Sequence, residues 1–108
     1  MTVNDLLKIE GFSSAVTPDP EREISGVYIG DLLSWVMGKA QSGDAWITIM
    51  SNVNVLAVAT LTDCACVVLS EGVELCGEIL ETAKQKGINI IYTSKSSYEA
   101  AIALNQIV

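Results

Sequence analysis

The chain has 108 residues, half of them hydrophobic, with 13 acidic side chains against 6 basic ones and a net charge of −7. That length and apolar content predict one domain over residues 1–108 with a real core, while the acidic balance and the single arginine, Arg22, exclude the basic stripe that nucleic-acid binding requires. The absence of histidine removes the commonest general base, the Ser-His and Cys-His nucleophile pairs and the commonest metal ligand together.

No apolar run approaches the roughly 18 residues of a membrane span. The opening MTVNDLLKIEG lacks the basic region and apolar block of a secretion signal, so a cytoplasmic protein is expected. Cys64, Cys66 and Cys76, an odd number in apolar surroundings, fit free thiols in a reducing compartment better than a disulfide framework.

In chain order, Thr2-Val-Asn-Asp5 has the form of a capping box. It predicts a short helix to about Ile9 that Gly11 ends. Phe12 to Val16 reads as a short edge strand, and Pro18 to Glu23 as a loop. Glu23 to Ile29 reads as a strand, with Ile24, Gly26 and Tyr28 on one side and Ser25, Val27 and Ile29 on the other. Asp31 is placed to cap a largely apolar helix over Leu32–Lys39, and Gly43-Asp44 turns the chain into a strand over Ala45–Met50.

Ser51, Asn52 and Asn54 then offer capping side chains before Val55–Leu61. Periodicity alone allows strand or helix there, and the need for a connection between flanking strands predicts a helix. Cys64–Leu69 is a continuous apolar run of the kind buried on both faces of a parallel sheet. Gly77–Lys86 is an amphipathic helix with Ile79, Leu80 and Ala83 inward, closed by Gly87. Ile88–Tyr92 is the last strand, and Ser96 or Ser97 caps a helix over Tyr98–Ile107 with Ala101, Ala103 and Leu104 inward. This alternation predicts an α/β fold, a mainly parallel sheet with helices on both faces in three layers.

Such sheets bind ligands at the carboxyl ends of their strands. Those ends are Ile29-Gly30-Asp31, Met50-Ser51-Asn52, Leu69-Ser70-Glu71-Gly72 and Tyr92-Thr93-Ser94, and of them Gly30, Asp31, Ser51, Asn52, Ser70 and Gly72 are taken as the candidate ligand site. Backbone amides at the helix start beside Ser51 and Asn52 suit an anion. Gly26 to Asp31 lacks both the Gly-Lys-Ser/Thr of a Walker loop and the three spaced glycines of a dinucleotide fingerprint, so its glycines read as turn and packing residues. Cys64 and Cys66, two apart on a strand, are expected to face the same side, but the cysteines lack the usual two-residue spacer and a fourth ligand and read as small hydrophobes rather than a metal site. Glu71, Glu74 and Asp63 read as solvated loop charges. Trp35 and Trp46 read first as core packing and otherwise as aromatics at a subunit interface, for which Trp35, Met37 and Trp46 are the candidate residues.

Gly30-Asp31-Leu32-Leu33-Ser34, the Gly43-Asp44 turn and Ser97-Tyr98-Glu99-Ala100 lie in a chain that, after about residue 20, resembles the DRTGG domain family. The resemblance implies a fold related to the N-terminal domain of HPr kinase/phosphorylase. It also implies an accessory, regulatory or dimer-forming role, as in the family's members within phosphate acetyltransferases and beside CBS domains in regulated pyrophosphatases. The family's aspartate-arginine pair falls near Asn52-Val53 and its threonine-glycine-glycine near Ser70-Glu71-Gly72, of which this chain keeps the last glycine.

The sequence therefore leads to the expectation of a non-catalytic, homodimerising module with no cofactor, no metal, and no nucleic-acid or membrane partner. A sensor of a nucleotide or other small anion is the alternative. Thiol or metal chemistry through Cys64, Cys66 and Cys76 is a more distant third.

Overall fold

A computed structural model describes residues 1–106. The elements run α1 (Val3–Leu6), β1 (Phe12–Val16), β2 (Gly26–Ile29), α2 (Leu33–Lys39), β3 (Asp44–Thr48), α3 (Asn54–Thr62), β4 (Cys66–Leu69), α4 (Gly77–Lys86), β5 (Ile90–Thr93) and α5 (Ser97–Asn105). The run over 54–62 is a helix, as its position between two strands predicts. The last helix is described to Asn105, and Ile107 lies outside the described residues.

The strands form a sheet in the order β1-β5-β4-β3-β2. β2 to β5 are parallel, and β1 closes one edge antiparallel to β5, with Phe12 opposite Thr93. From β2 to β5 each new strand is laid down on the same side of the last. Right-handed crossovers then place every connecting helix on one face. Accordingly Val36 of α2, Val55, Leu56 and Ala59 of α3, and Ala83 of α4 form one buried cluster with Trp46, Val67, Leu69 and Ile90. The opposite face is covered by α1 and α5, where Val3, Leu6, Ala100 and Leu104 pack on Ala45, Ile47, Cys66, Val68 and Ile91. β3 and β4 are buried throughout, whereas β2 is only half-buried.

Three strands, β2, β4 and β5, start later than their apolar runs predict, β5 at Ile90 rather than Ile88. β2 begins at Gly26, so Ile24 precedes the pleat and packs under α1 and α5 with Val27, while Tyr28 turns to the other face. β4 begins at Cys66, and Cys64 leans on the α2–α4 side while Cys66 lies under α5. The two thiols do not share a face.

Because β1 and β2 are opposite edges, the segment joining them must cross beneath the amino ends of the sheet. The buried Asn89 holds it by a reciprocal pair of bonds. Its Oδ1 accepts from Asp19 N at 3.0 Å and its Nδ2 donates to Asp19 O at 2.8 Å, and Nδ2 also donates to Ala65 O at 2.9 Å. Arg22 then forks onto Asp63, with Nη1 to Oδ1 and Nη2 to Oδ2 both at 3.1 Å, and Nη2 also donates to the Asp63 carbonyl at 3.0 Å. Asp63 caps α3 in the left-handed conformation (φ 55°), and the Ser42 hydroxyl donates to its carboxylate. The backbone of α1 is tied on as well, through Val3 N to Arg22 O at 2.9 Å and Asn4 N to Pro20 O at 2.8 Å.

The Arg22 fork, then the Ser42 hydroxyl, hold the Asp63 carboxyl below the usual carboxylate range. A depressed carboxylate stabilises the fold fully above its unfolded value and loses that contribution as pH falls through its native value. Arg22→Ala is expected to cost about 1 kcal/mol in urea unfolding near neutral pH, since the pair is partly solvated. Below about pH 4 the wild-type urea midpoint should fall, and Asp63→Asn should flatten part of that fall. An Arg22→Ala midpoint equal to wild type would show that Asn89 holds the crossing alone.

Candidate functional site

The carboxyl ends of β2 to β5 meet at one end of the sheet. At β2, Asp31 does not cap α2. That helix begins at Leu33 with Leu32 in the capping position and no side-chain cap bond. The Asp31 Oδ1 instead accepts from the buried Thr48 hydroxyl at 2.8 Å and from Ile49 N at 2.9 Å. A charged acceptor thus joins the ends of β2 and β3 where their ladder runs out. The Gly30 carbonyl is also engaged, accepting from the Trp46 indole at 2.9 Å.

Ser51 and Asn52 follow β3 and are exposed. Asn52 Oδ1 accepts from Asn54 N at 2.9 Å, turning the chain into α3, whose capping position is Val53. The helix-start role foreseen for this cluster therefore belongs to Asn52, and the Ser51 hydroxyl has no protein partner among the described residues.

A different geometry opens between β4 and β5. The chain leaves β4 toward α4 on one face and leaves β5 toward α5 on the other, so the two loops diverge and a crevice lies between them. Its floor is closed by cross-loop bonds: Glu71 N to Lys95 O at 2.8 Å, Gly72 N to Thr93 O at 3.0 Å, and the buried Ser70 hydroxyl to the Ser97 hydroxyl at 2.7 Å. Glu71 and Gly72 both take positive φ, 60° and 74°, which lets the loop fold back over β5. Outward of this floor lies a recess of about 430 Å³ whose lining includes Gly11, Gly72, Glu74, Tyr92, Thr93 and Ser94. Tyr92 is fixed there by accepting from Leu75 N at 3.0 Å.

The six candidate ligand residues therefore do not form one pocket. Gly30 and Asp31 belong to the β2–β3 junction, Ser51 and Asn52 to the start of α3, and Ser70 to the crevice floor. Gly72 alone lines the recess. Tyr92 and Thr93 stand at a strand end that the sequence marks but outside the six candidates, and Glu74 reads there as a loop charge, because the recess depends on which face each helix takes. The signal for that was the unbroken sequence of crossovers followed by a terminal helix with nowhere to go but the other face.

Of the three candidate interface residues, Trp46 is fully buried in the core, because β3 is a central strand covered on both faces. Trp35 and Met37 are 62% and 51% exposed, but two positions on a helix do not face each other. They flank α2 on different sides and make no common patch, and Lys39 Nζ lies 5.8 Å from the Trp35 ring centre.

Burial pushes the Cys64 thiol up to about 11 and raises that of Cys66 as well, so neither is a thiolate at neutral pH. Cys76 is exposed at the start of α4. Among the described residues no group of three His, Cys, Asp or Glu side chains converges as a metal site requires, and no helix is long and apolar enough to cross a membrane.

The family model for the DRTGG domain matches residues 18–107. No curated protein gives a match. Among solved structures, the CBS and DRTGG domains of the regulatory region of Clostridium perfringens pyrophosphatase, complexed with the activator diadenosine tetraphosphate, align with a TM-score of 0.67 at 18% identity. The match covers 93% of this chain and 43% of that one, so this chain spans less than half its length. The likeness is one of fold: a five-stranded α/β sheet with helices on both faces.

Asp31→Ala is expected to lower stability by about 1–2 kcal/mol in urea unfolding, because it strands the buried Thr48 hydroxyl and the Ile49 amide. An unchanged midpoint would return Asp31 to the role of a ligand group. In native protein a thiol reagent should label Cys76 alone, with all three cysteines reacting after unfolding, read as adducts by mass spectrometry.

Proposed function

The chain belongs to the DRTGG domain family, and on that footing we propose that it is a non-catalytic regulatory or accessory module that acts as a homodimer in the cytoplasm. The observation that carries this reading is a contrast in how the surface is used. Asp31, Ser70 and Asn52 are committed to hydrogen bonds within the fold. Large apolar side chains such as Leu32, Trp35, Tyr98 and Ile102 are left exposed on an acidic chain. Polar ends closed on themselves fit a structural scaffold, and open apolar surface fits assembly. The regulatory setting of the pyrophosphatase structure with the same fold lends support, and three free thiols suit a reducing compartment.

A second reading has its own support. The recess between β4 and β5 lies where open α/β sheets take small ligands, its lining combines hydroxyls with glycine backbone, and the pyrophosphatase fragment is described in complex with a dinucleotide activator. In this reading the module senses a nucleotide or other small anion at the recess, with Ser51 and Asn52 as a further contact.

Sedimentation tests the first reading: a dimer is expected at high micromolar concentration, and a clean monomer overturns it. For the second, adenine nucleotides and diadenosine tetraphosphate should raise the melting temperature. The shift should be reduced in Thr93→Val if the recess is the site, and in Asn52→Ala if the start of α3 takes part. No shift with any phosphorylated metabolite overturns the sensor reading.

A further inference from the structure

β2 is a short edge strand of four residues, Gly26, Val27, Tyr28 and Ile29, paired on one side only, with β3. There is no lysine, proline or bulge within it. The other edge, β1, is guarded. Its register slips between Ser14 and Val16, and Ser13 and Ser14 face solvent. Beside the open edge runs α5, whose exposed stripe is also apolar. Tyr98, Ile102 and Asn105 fall at helical spacing on one side, 73% exposed at Tyr98 and 41% at Ile102. Between strand and helix lies a groove of about 480 Å³ lined by Val27, Ile29, Tyr98, Ala101, Ile102 and Asn105 among others, and no lining residue is charged.

We infer that a second copy of this chain docks on this surface, β2 pairing antiparallel with its mate and the two α5 stripes meeting across a twofold axis. This rests on the homodimer reading above and names its interface. Two features select a second copy over a foreign partner. The chain carries −7, so most approaches between copies meet like charges. Within its nine residues α5 has one charged side chain, Glu99, which makes this the face where copies approach without that repulsion. A basic partner, by contrast, would be drawn to the acidic faces and would find nothing to pair with here.

The unpaired backbone groups of an edge strand are matched by another strand in the same state, and an isologous pair supplies that with one surface. A twofold axis perpendicular to the sheet keeps both α5 helices on one face and side by side. A short strand pair alone buries too little for a stable dimer, which needs about 800 Å² per partner, and the Tyr98–Ile102 stripe adds apolar area beside it.

The test compares wild type with Tyr98→Glu and Ile102→Glu, both at exposed positions, by sedimentation and circular dichroism, with Trp35→Glu and Leu61→Glu as controls elsewhere on the surface. Each α5 variant is expected to weaken dimerisation about tenfold or more with unchanged melting, while the controls dimerise as wild type does. Amide exchange in wild type should slow over Val27 to Ile29 as concentration rises. A dimer that survives both α5 variants but is lost in Trp35→Glu overturns this interface and leaves the homodimer reading standing. A wild type that stays monomeric overturns both and leaves the edge to a strand of another protein.

Discussion

The fold depends on a crossing. Its first and second strands are opposite edges of one sheet, and the chain between them must span the amino ends of all the strands that lie between. That stretch carries two prolines and four charged residues over 18–23 and has little apolar material of its own to bury. It is held by polar contacts to fixed points: Asn89 at the foot of β5, and Asp63 at the end of α3. The only arginine in the chain is spent here. Its planar fork matches a carboxylate and a carbonyl together, which a lysine cannot reproduce. These two contacts hold the crossing, and with it both edges, to the middle of the sheet.

What the carboxyl ends of the strands are able to do follows from the same topology. Three crossovers in one direction commit α2, α3 and α4 to one face, and only the last connection changes sides. A crevice arises at that change, between β4 and β5. The other ends are sealed by the fold's own polar groups. The Asp31 carboxylate and the Trp46 indole each satisfy a neighbour there, and no buried side-chain polar atom among the described residues is left without a partner.

Much of this was legible in the chain before any coordinates. Phe12–Val16 and Gly77–Lys86 read from the sequence as they stand, because short alternation and a full amphipathic repeat are local signals; Gly87 ends α4 in the left-handed conformation its position demands. Thr2 caps as its spacing predicts, and of Ser96 and Ser97 it is Ser96 that caps α5, each cap with a carboxylate three residues on. The readings that failed concern which partner a side chain finds across the sheet. Asp31 has the right type and position for a cap, but Thr48 at the end of β3 and Ile49 just past it, 17 and 18 residues on, are better placed to use it. Trp46 is amphipathic enough for an interface, yet a central strand with helices on both faces leaves it no surface. The pairing of Cys64 with Cys66 assumed a pleat that starts only at the second of them. Local chemistry predicts elements; only strand order decides faces, and strand order is not written in any single segment.

The pairing of β1 with β5 has a kinetic consequence. Every other strand pair joins neighbours in the chain, so β2 to β5 with their helices can assemble by successive short closures. Phe12 meets Thr93 across nearly the whole polypeptide, and that closure costs entropy with no reward until β5 is already in place. The antiparallel edge is therefore the last piece to dock and the first to open. A weakened β1 would speed unfolding while leaving the folding rate almost unchanged.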